Sequence, residues 1–150
     1  LRLVSTIQVN GSEKFVANDQ LQMTNVGWMG DNFKKLFHNK IEEGVAGAVI
    51  AVHRLEKSSL DAPILAGLGD RAEIKLAHFF ELLAKQSKGE NGILLVDGRA
   101  NIAYIRDERG IFWAVAAYWR SSYGYWDVCA YSVGTPNGWR AGHRVLSRDS

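Results

Sequence analysis

The sequence predicts an α+β domain over residues 1–150: a C-terminal five-stranded antiparallel meander packed against about two helices, with an N-terminal hairpin. Three observations predict it. From Ile93 onward, apolar runs of strand length alternate with the short turn signals "DG", "DERG", "SSYG" and "GTPNG". Two earlier segments carry apolar residues at helical spacing. No linker, internal repeat or low-complexity tract divides the chain.

Taken in order, "LRLVSTIQV" alternates as a strand does, and Asn10-Gly11 reads as a hairpin turn. Ser12 to Gln22 carries no clear signal. Asp31 is placed to cap a helix through Phe33, Phe37 and Ile41, with Gly44 just past its end. "VAGAVIAV", Val45 to Val52, is a continuous apolar run, as expected of a strand buried on both faces. "LEKSSLDAP" reads as a surface loop. Asp70 and Glu73 form a capping box for the helix "RAEIKLAHFFELLAKQSK", which stops near Gly89. The meander follows, with turns at Asp97-Gly98, Glu108-Arg109, Ser121 to Gly124 and Thr135 to Gly138.

Composition sets the class. With 47% hydrophobic and 23% charged residues, the chain has the balance of a soluble globular protein. No apolar run is long enough for a membrane-spanning helix, and "LRLVSTIQV" is too short and too alternating for a signal peptide. One cysteine permits no internal disulfide, so a reducing, cytoplasmic location is expected. A net charge of +2 does not call for a nucleic-acid partner. Arg120, Arg140, Arg144 and Arg148, near Tyr123, Tyr125 and Trp126, are the only candidates for such a surface, and edge-strand arginines also serve to block edge pairing.

Each turn fixes a register, and register decides which side chains share a face. The turns pair Val96 with Arg99, Arg106 with Ile111, Arg120 with Tyr125 and Val133 with Trp139. One row across the sheet then reads Leu94, Asn101, Ala116, Cys129, His143. One face carries Trp113, Val115, Trp119, Trp126, Val128 and Leu146 and is expected to be core. The other carries Phe112, Ala114, Ala116, Tyr118, Asp127, Cys129, Tyr131, Trp139 and His143, with Asn101 and Arg99 beside them. Small residues at its centre and amphipathic rings around them have the composition of a pocket floor. Alanines on a sheet face also let a helix lie close, so packing is the competing explanation.

The expected function is therefore binding of a small aromatic or cationic ligand, since ring faces attract cations. Phe112, Tyr118, Tyr131 and Trp139 would form the walls, and Asn101, Asp127, Cys129 and His143 the polar contacts. The alternative is an assembly subunit that uses the aromatic face as a homodimer interface. Five Trp, five Tyr and six Phe are many rings for two helices to cover. A third possibility is an enzyme in which His143 activates Cys129.

Other motifs carry less. "GLGDRA", Gly67 to Ala72, matches a dinucleotide fingerprint, but Asp70 would place a negative charge where a phosphate should sit. His38, His53, His78 and His143 lack metal-ligand spacing, so neither a metal nor a cofactor is expected. His78 reads as a packing residue, and Glu42, Glu43 and Glu81 as solvated helix faces.

Overall fold

The computed structural model describes residues 1–134 and 138–150. The Thr135 to Asn137 part of the expected fourth turn lies outside the described residues. The strands are β1 (Arg2–Val9), β2 (Ser12–Val16), β3 (Val26–Met29), β4 (Ile41–Val45), β5 (Ala48–Arg54), β6 (Asn101–Arg106), β7 (Phe112–Arg120), β8 (Tyr125–Ser132) and β9 (Arg144–Arg148). The α-helices are α1 (Leu21–Thr24), α2 (Asp31–Phe37), α3 (Asp61–Leu68) and α4 (Leu76–Lys85). Seven strands form one sheet in the order β1-β5-β9-β6-β7-β8-β3, and β2 pairs with β4 in a second, two-stranded sheet. The β9–β6 and β8–β3 contacts are parallel and the others antiparallel. Among the described residues no helix is long and apolar enough to cross a membrane.

The α+β class holds, but the five-stranded meander does not. Only β6, β7 and β8 follow one another as hairpins. β9 lies instead between β5 and β6, pairing Val52 with Leu146 on one side and Ile102 with Val145 on the other. "GILLV" is not a strand, because side-chain amides take up its backbone. Buried Gln86 brackets Leu94, accepting from its N–H at 2.9 Å and donating to its carbonyl at 3.1 Å. Buried Asn101 does the same to Leu95, at 2.8 and 3.0 Å. Two amides thus replace a neighbouring strand.

The N-terminal hairpin is also built differently. β1 and β2 do not pair with each other; they pair with β5 and β4 respectively. The register is unbroken across the gap: Val9 faces Ala48, and three residues further on Ser12 faces Val45. The four strands are one long antiparallel ribbon, bent at Asn10-Gly11 and Ala46-Gly47. The bend requires Gly11, whose φ is +79° and whose Cβ, if present, would lie 2.2 Å from the Val45 carbonyl oxygen.

Bending leaves backbone groups unpaired, and α4 supplies their partners. Glu81 accepts the Asn10 N–H at 2.9 Å and the Gly11 N–H at 3.3 Å. His78 Nε2 donates to the Ala46 carbonyl at 2.8 Å. The ribbon returns the contact: Glu42 on β4 accepts the N–H groups of Leu76 and Ala77 at 3.0 and 2.8 Å, capping α4. Glu42 is buried and paired with Lys40 at 3.0 Å. Glu42 and Glu81 are therefore structural anchors and not solvated helix faces. The Asp70–Glu73 capping box does not open this helix: Gly69–Arg71 is a separate 3-10 turn and α4 starts five residues later, at Leu76. Likewise α2 ends at Phe37, and Ile41 begins β4.

Two cores lie on opposite sides of the sheet. The first holds Phe33, Phe37, Phe79, Phe80, Trp119 and Trp126, packed beneath α2 and α4. Every residue expected on the core face of the meander belongs to it. The second is smaller and lies beneath α3, where Ile64 and Leu68 meet Ile102, Tyr104, Ala114, Ala116 and Val145. α3 begins inside the stretch "LEKSSLDAP", whose last three residues, Asp61 to Pro63, form its first turn: an acid followed by a proline suits a helix start.

Removing the Glu42 carboxylate strands two buried N–H donors, so Glu42→Ala should lower stability by about 2–4 kcal/mol. Glu81→Ala, which frees partly exposed donors, should cost about 1–2 kcal/mol. Urea unfolding of both variants measures this, and a Glu42→Ala midpoint equal to wild type would contradict the capping role.

Candidate functional site

β7 and β8 build the aromatic face, and the "SSYG" turn sets its register as expected: Arg120 faces Tyr125 and Ala116 faces Cys129. Tyr118, Cys129 and Tyr131 therefore share a face with Ala114 and Ala116. The centre of that face is not a pocket floor. Ala114 and Ala116 are fully buried, with Ile64 and Leu68 of α3 packed in the same cluster. The small residues serve to let a helix lie close.

Beyond the reach of α3 the face remains half-open, as a shelf rather than a recess. The Tyr118 and Tyr131 hydroxyls meet at 3.3 Å. Half-buried Cys129 lies on the same strand face, next to Gly30, where a Cβ would come within 3.2 Å of its Sγ. Tyr131 meets Trp139 edge to face at 5.5 Å, and Trp139 meets His143 in the same way at 6.0 Å. Trp139 is fixed by Asp61, the first residue of α3. The buried Asp61 Oδ1 accepts from Trp139 Nε1 at 2.9 Å and from the Tyr104 hydroxyl at 2.7 Å. Phe112 lies next to Tyr104 under the Arg106 guanidinium.

At the other end of the shelf, Arg120 donates through Nε to Asp127 Oδ2 at 2.6 Å, and its guanidinium lies over the Tyr118 ring, 5.2 Å from the centroid. Asp127 Oδ1 is buried and has no hydrogen-bond partner. Asp127 faces Tyr118, and Arg120 faces Tyr125, so the ion pair is diagonal across two strands. That spacing was available in the sequence as a cross-strand diagonal. Asp61 was not, because its partners come from distant β6 and from the segment before β9.

Of the residues expected at the site, Phe112, Tyr118, Asp127, Cys129, Tyr131, Trp139 and His143 do gather on this side of the sheet. Asn101 does not. The loop after β6 closes on Asp107 and Ile111, so Arg106 faces Phe112 and Asn101 faces Ala117. That shift of one residue moves Asn101 to the opposite face, where it clamps Leu95. The pairing of Cys129 with His143 also fails, because β9 is not next to β8. His143 Nδ1 instead accepts the Ala100 N–H at 2.8 Å.

The chemistry of these groups is quiet. Burial pushes the Cys129 thiol up from its ordinary value, against smaller downward pulls from Tyr131 and the Gly30 N–H. Burial likewise raises the phenols of Tyr118 and Tyr131. Burial and the nearby Arg99 charge hold His143 below the usual imidazole range. Among the described residues no group of three or more His, Cys, Asp or Glu is placed to hold a metal. Arg144 and Arg148 point back into the fold, donating to the carbonyls of Ile93 and of Asp70 and Glu73, and form no basic stripe. "GLGDRA" spans the end of α3 and the 3-10 turn, with no strand before it. Comparison with protein-family models, with curated proteins and with solved structures finds no match in any of the three.

Two outcomes follow. Alkylation of Cys129 should be slow, with no inflection below about pH 8, and His143→Ala should leave the rate unchanged. A rate that falls in that variant would restore the thiol–imidazole pair. Stability should also fall as pH drops below 6.5, the unfolded imidazole value. His143 and His53 are both held below it, so in that window the unfolded chain binds more protons than the native one. Thermal unfolding between pH 7.5 and 5.5 checks this, and His143→Gln should flatten the slope.

Proposed function

We propose that the protein is a non-catalytic binding domain whose Tyr118–Tyr131 shelf receives a small cationic ligand with a flat ring. One observation carries the reading. The shelf already holds a cation, the Arg120 guanidinium, between the Tyr118 ring and the Asp127 carboxylate. The second Asp127 oxygen still lacks a donor. Tyr131 is 39% exposed and offers a further ring face beside it. A ligand ammonium or amidinium can displace the exposed Arg120 side chain, pair with Asp127 and lay its ring against Tyr131. Cation–ring contacts contribute about 0.5–2 kcal/mol each, so affinity rests mainly on the charge pair and apolar contact. The single cysteine suits a reducing compartment, and we place this role in the cytoplasm.

Calorimetric titration with benzamidine and phenethylamine tests the proposal, with benzyl alcohol as the neutral control. The amines should bind and the alcohol should not. Arg120→Ala should strengthen amine binding by removing the internal competitor, and Tyr131→Ala should weaken it. Absence of amine binding to both wild type and Arg120→Ala would overturn the reading.

Self-association through this edge of the sheet is the second reading. Trp28, 50% exposed, lies on edge strand β3, and Tyr123, 72% exposed, lies in the adjoining β7–β8 turn. Light scattering at high micromolar concentration separates the two: a dimer lost in Trp28→Ala would favour self-association.

A further inference from the structure

α3 leaves the opposite end of its sheet face open as well. There β5, the loop after it and α3 border an open hollow of about 610 Å³, within the usual range for small-molecule sites. Its floor is apolar: Leu55, Ile64 and Leu68 are buried, and Pro63 continues the wall. Its rim carries the cations Lys57 and Arg71 and one acid, Glu56, with the Ser58 and Ser59 hydroxyls between. Neither Lys57 nor Arg71 makes an ion pair among the described residues.

We infer that this hollow binds a small amphipathic monoanion, a carboxylate on a short aliphatic or ring body. The apolar floor takes the body, and Arg71 and Lys57 take the charge.

Two further features support this. His53, at the inner end, donates through Nε2 to the buried Ser147 hydroxyl at 3.1 Å, since that hydroxyl itself donates to the Arg148 carbonyl. Burial chiefly, and the Arg71 charge after it, hold His53 below the usual imidazole range, so Arg71 acts electrostatically on the inner end of the hollow. The second feature is Gly67. Glycine inside a helix costs stability relative to alanine. Gly67 lies in α3 where it lines the hollow, and a Cβ there would meet nothing within 4 Å. Its bare backbone keeps the space free.

The site is separate from the aromatic shelf, and its test does not depend on that proposal. Titration of the full chain with butyrate, hexanoate, octanoate and phenylacetate, followed by amide chemical shifts, should give saturable binding that tightens with chain length. Shifts should centre on Ile64, Leu68 and Gly67. Hexanol and hexylamine should bind at least about tenfold more weakly than hexanoate, a ratio set by loss of the charge contact. Arg71→Gln, on the surface, should cost hexanoate about tenfold and leave hexanol unchanged. Gly67→Leu should abolish hexanoate binding while keeping or raising the melting temperature, because leucine is the better helix former. Tyr131→Ala should change none of these values. No saturable carboxylate binding, equal binding of hexanol and hexanoate, or full binding by a folded Gly67→Leu variant would each overturn the inference.

Discussion

At the bend of the ribbon, the N–H groups of Asn10 and Gly11 and the carbonyl of Ala46 are bound by Glu81 and His78 of α4. The first core depends on this clasp. The ribbon must serve both as the flank of the seven-stranded sheet and as a second sheet over α4, and one straight ladder cannot do both. Bending costs backbone hydrogen bonds, here of exposed and partly exposed groups that side chains of α4 pair instead. Because α4 repays them, and Glu42 on the ribbon caps α4 in return, helix and bend hold each other. Phe15 and Phe80 then meet edge to face at 5.6 Å, and the Phe33–Phe37 stack closes the layer.

How much of this is legible in the sequence depends on the range of the contact involved. The β7–β8 hairpin is: "SSYG" is a short turn between matched runs, and the face it assigns to Trp119, Trp126 and Val128 is the core face found. The β6–β7 loop is legible as a turn but not in register. Asp107 accepts the N–H groups of Arg109 and Ile111 and the Trp113 indole N–H, which holds a loop one residue longer than the turn signal implies. A one-residue slip exchanges the two faces of a strand, and Asn101 changed roles for that reason alone. The course of β9 is not legible. Nothing near "WRAGHRVLS" records that its partners are β5, far earlier in the chain, and β6, already paired on its other side. The amide clamps on Leu94 and Leu95 are hidden in the same way, because an apolar run looks like a strand whether another strand or a pair of side-chain amides binds its backbone.

The candidate site follows from a mismatch of sizes. Seven strands at about 4.8 Å spacing span roughly 29 Å. α3, with eight residues, is about 12 Å long. One helix of that length cannot cover the second face, whichever way it lies. It covers the middle, where Ala114, Ala116 and Ala103's neighbour Tyr104 lie closest, and leaves both ends open. The pocket expected from the alanines is thus displaced, because alanines mark where the helix presses and not where a ligand enters. The open ends differ in character. One carries Tyr118, Tyr131 and the Arg120–Asp127 ion pair; the other carries an aliphatic floor, two cations and one acid.

α3 is the element common to both ends. Its first residue, Asp61, fixes Trp139 on the aromatic side, and its inner residues Ile64 and Leu68 floor the hollow on the other. Among the described residues, the titrating groups at the two ends are already engaged or held off their ordinary range. Cys129 and both phenols titrate above their ordinary range, His143 is committed to the Ala100 N–H, and His53 to Ser147. These residues offer an Arg120–Asp127 ion pair among rings at one end, and the cations Lys57 and Arg71 with one acid, Glu56, over aliphatic surface at the other. That distribution suits recognition of charged, partly apolar small molecules, and it ties both proposals to the short helix that divides the face.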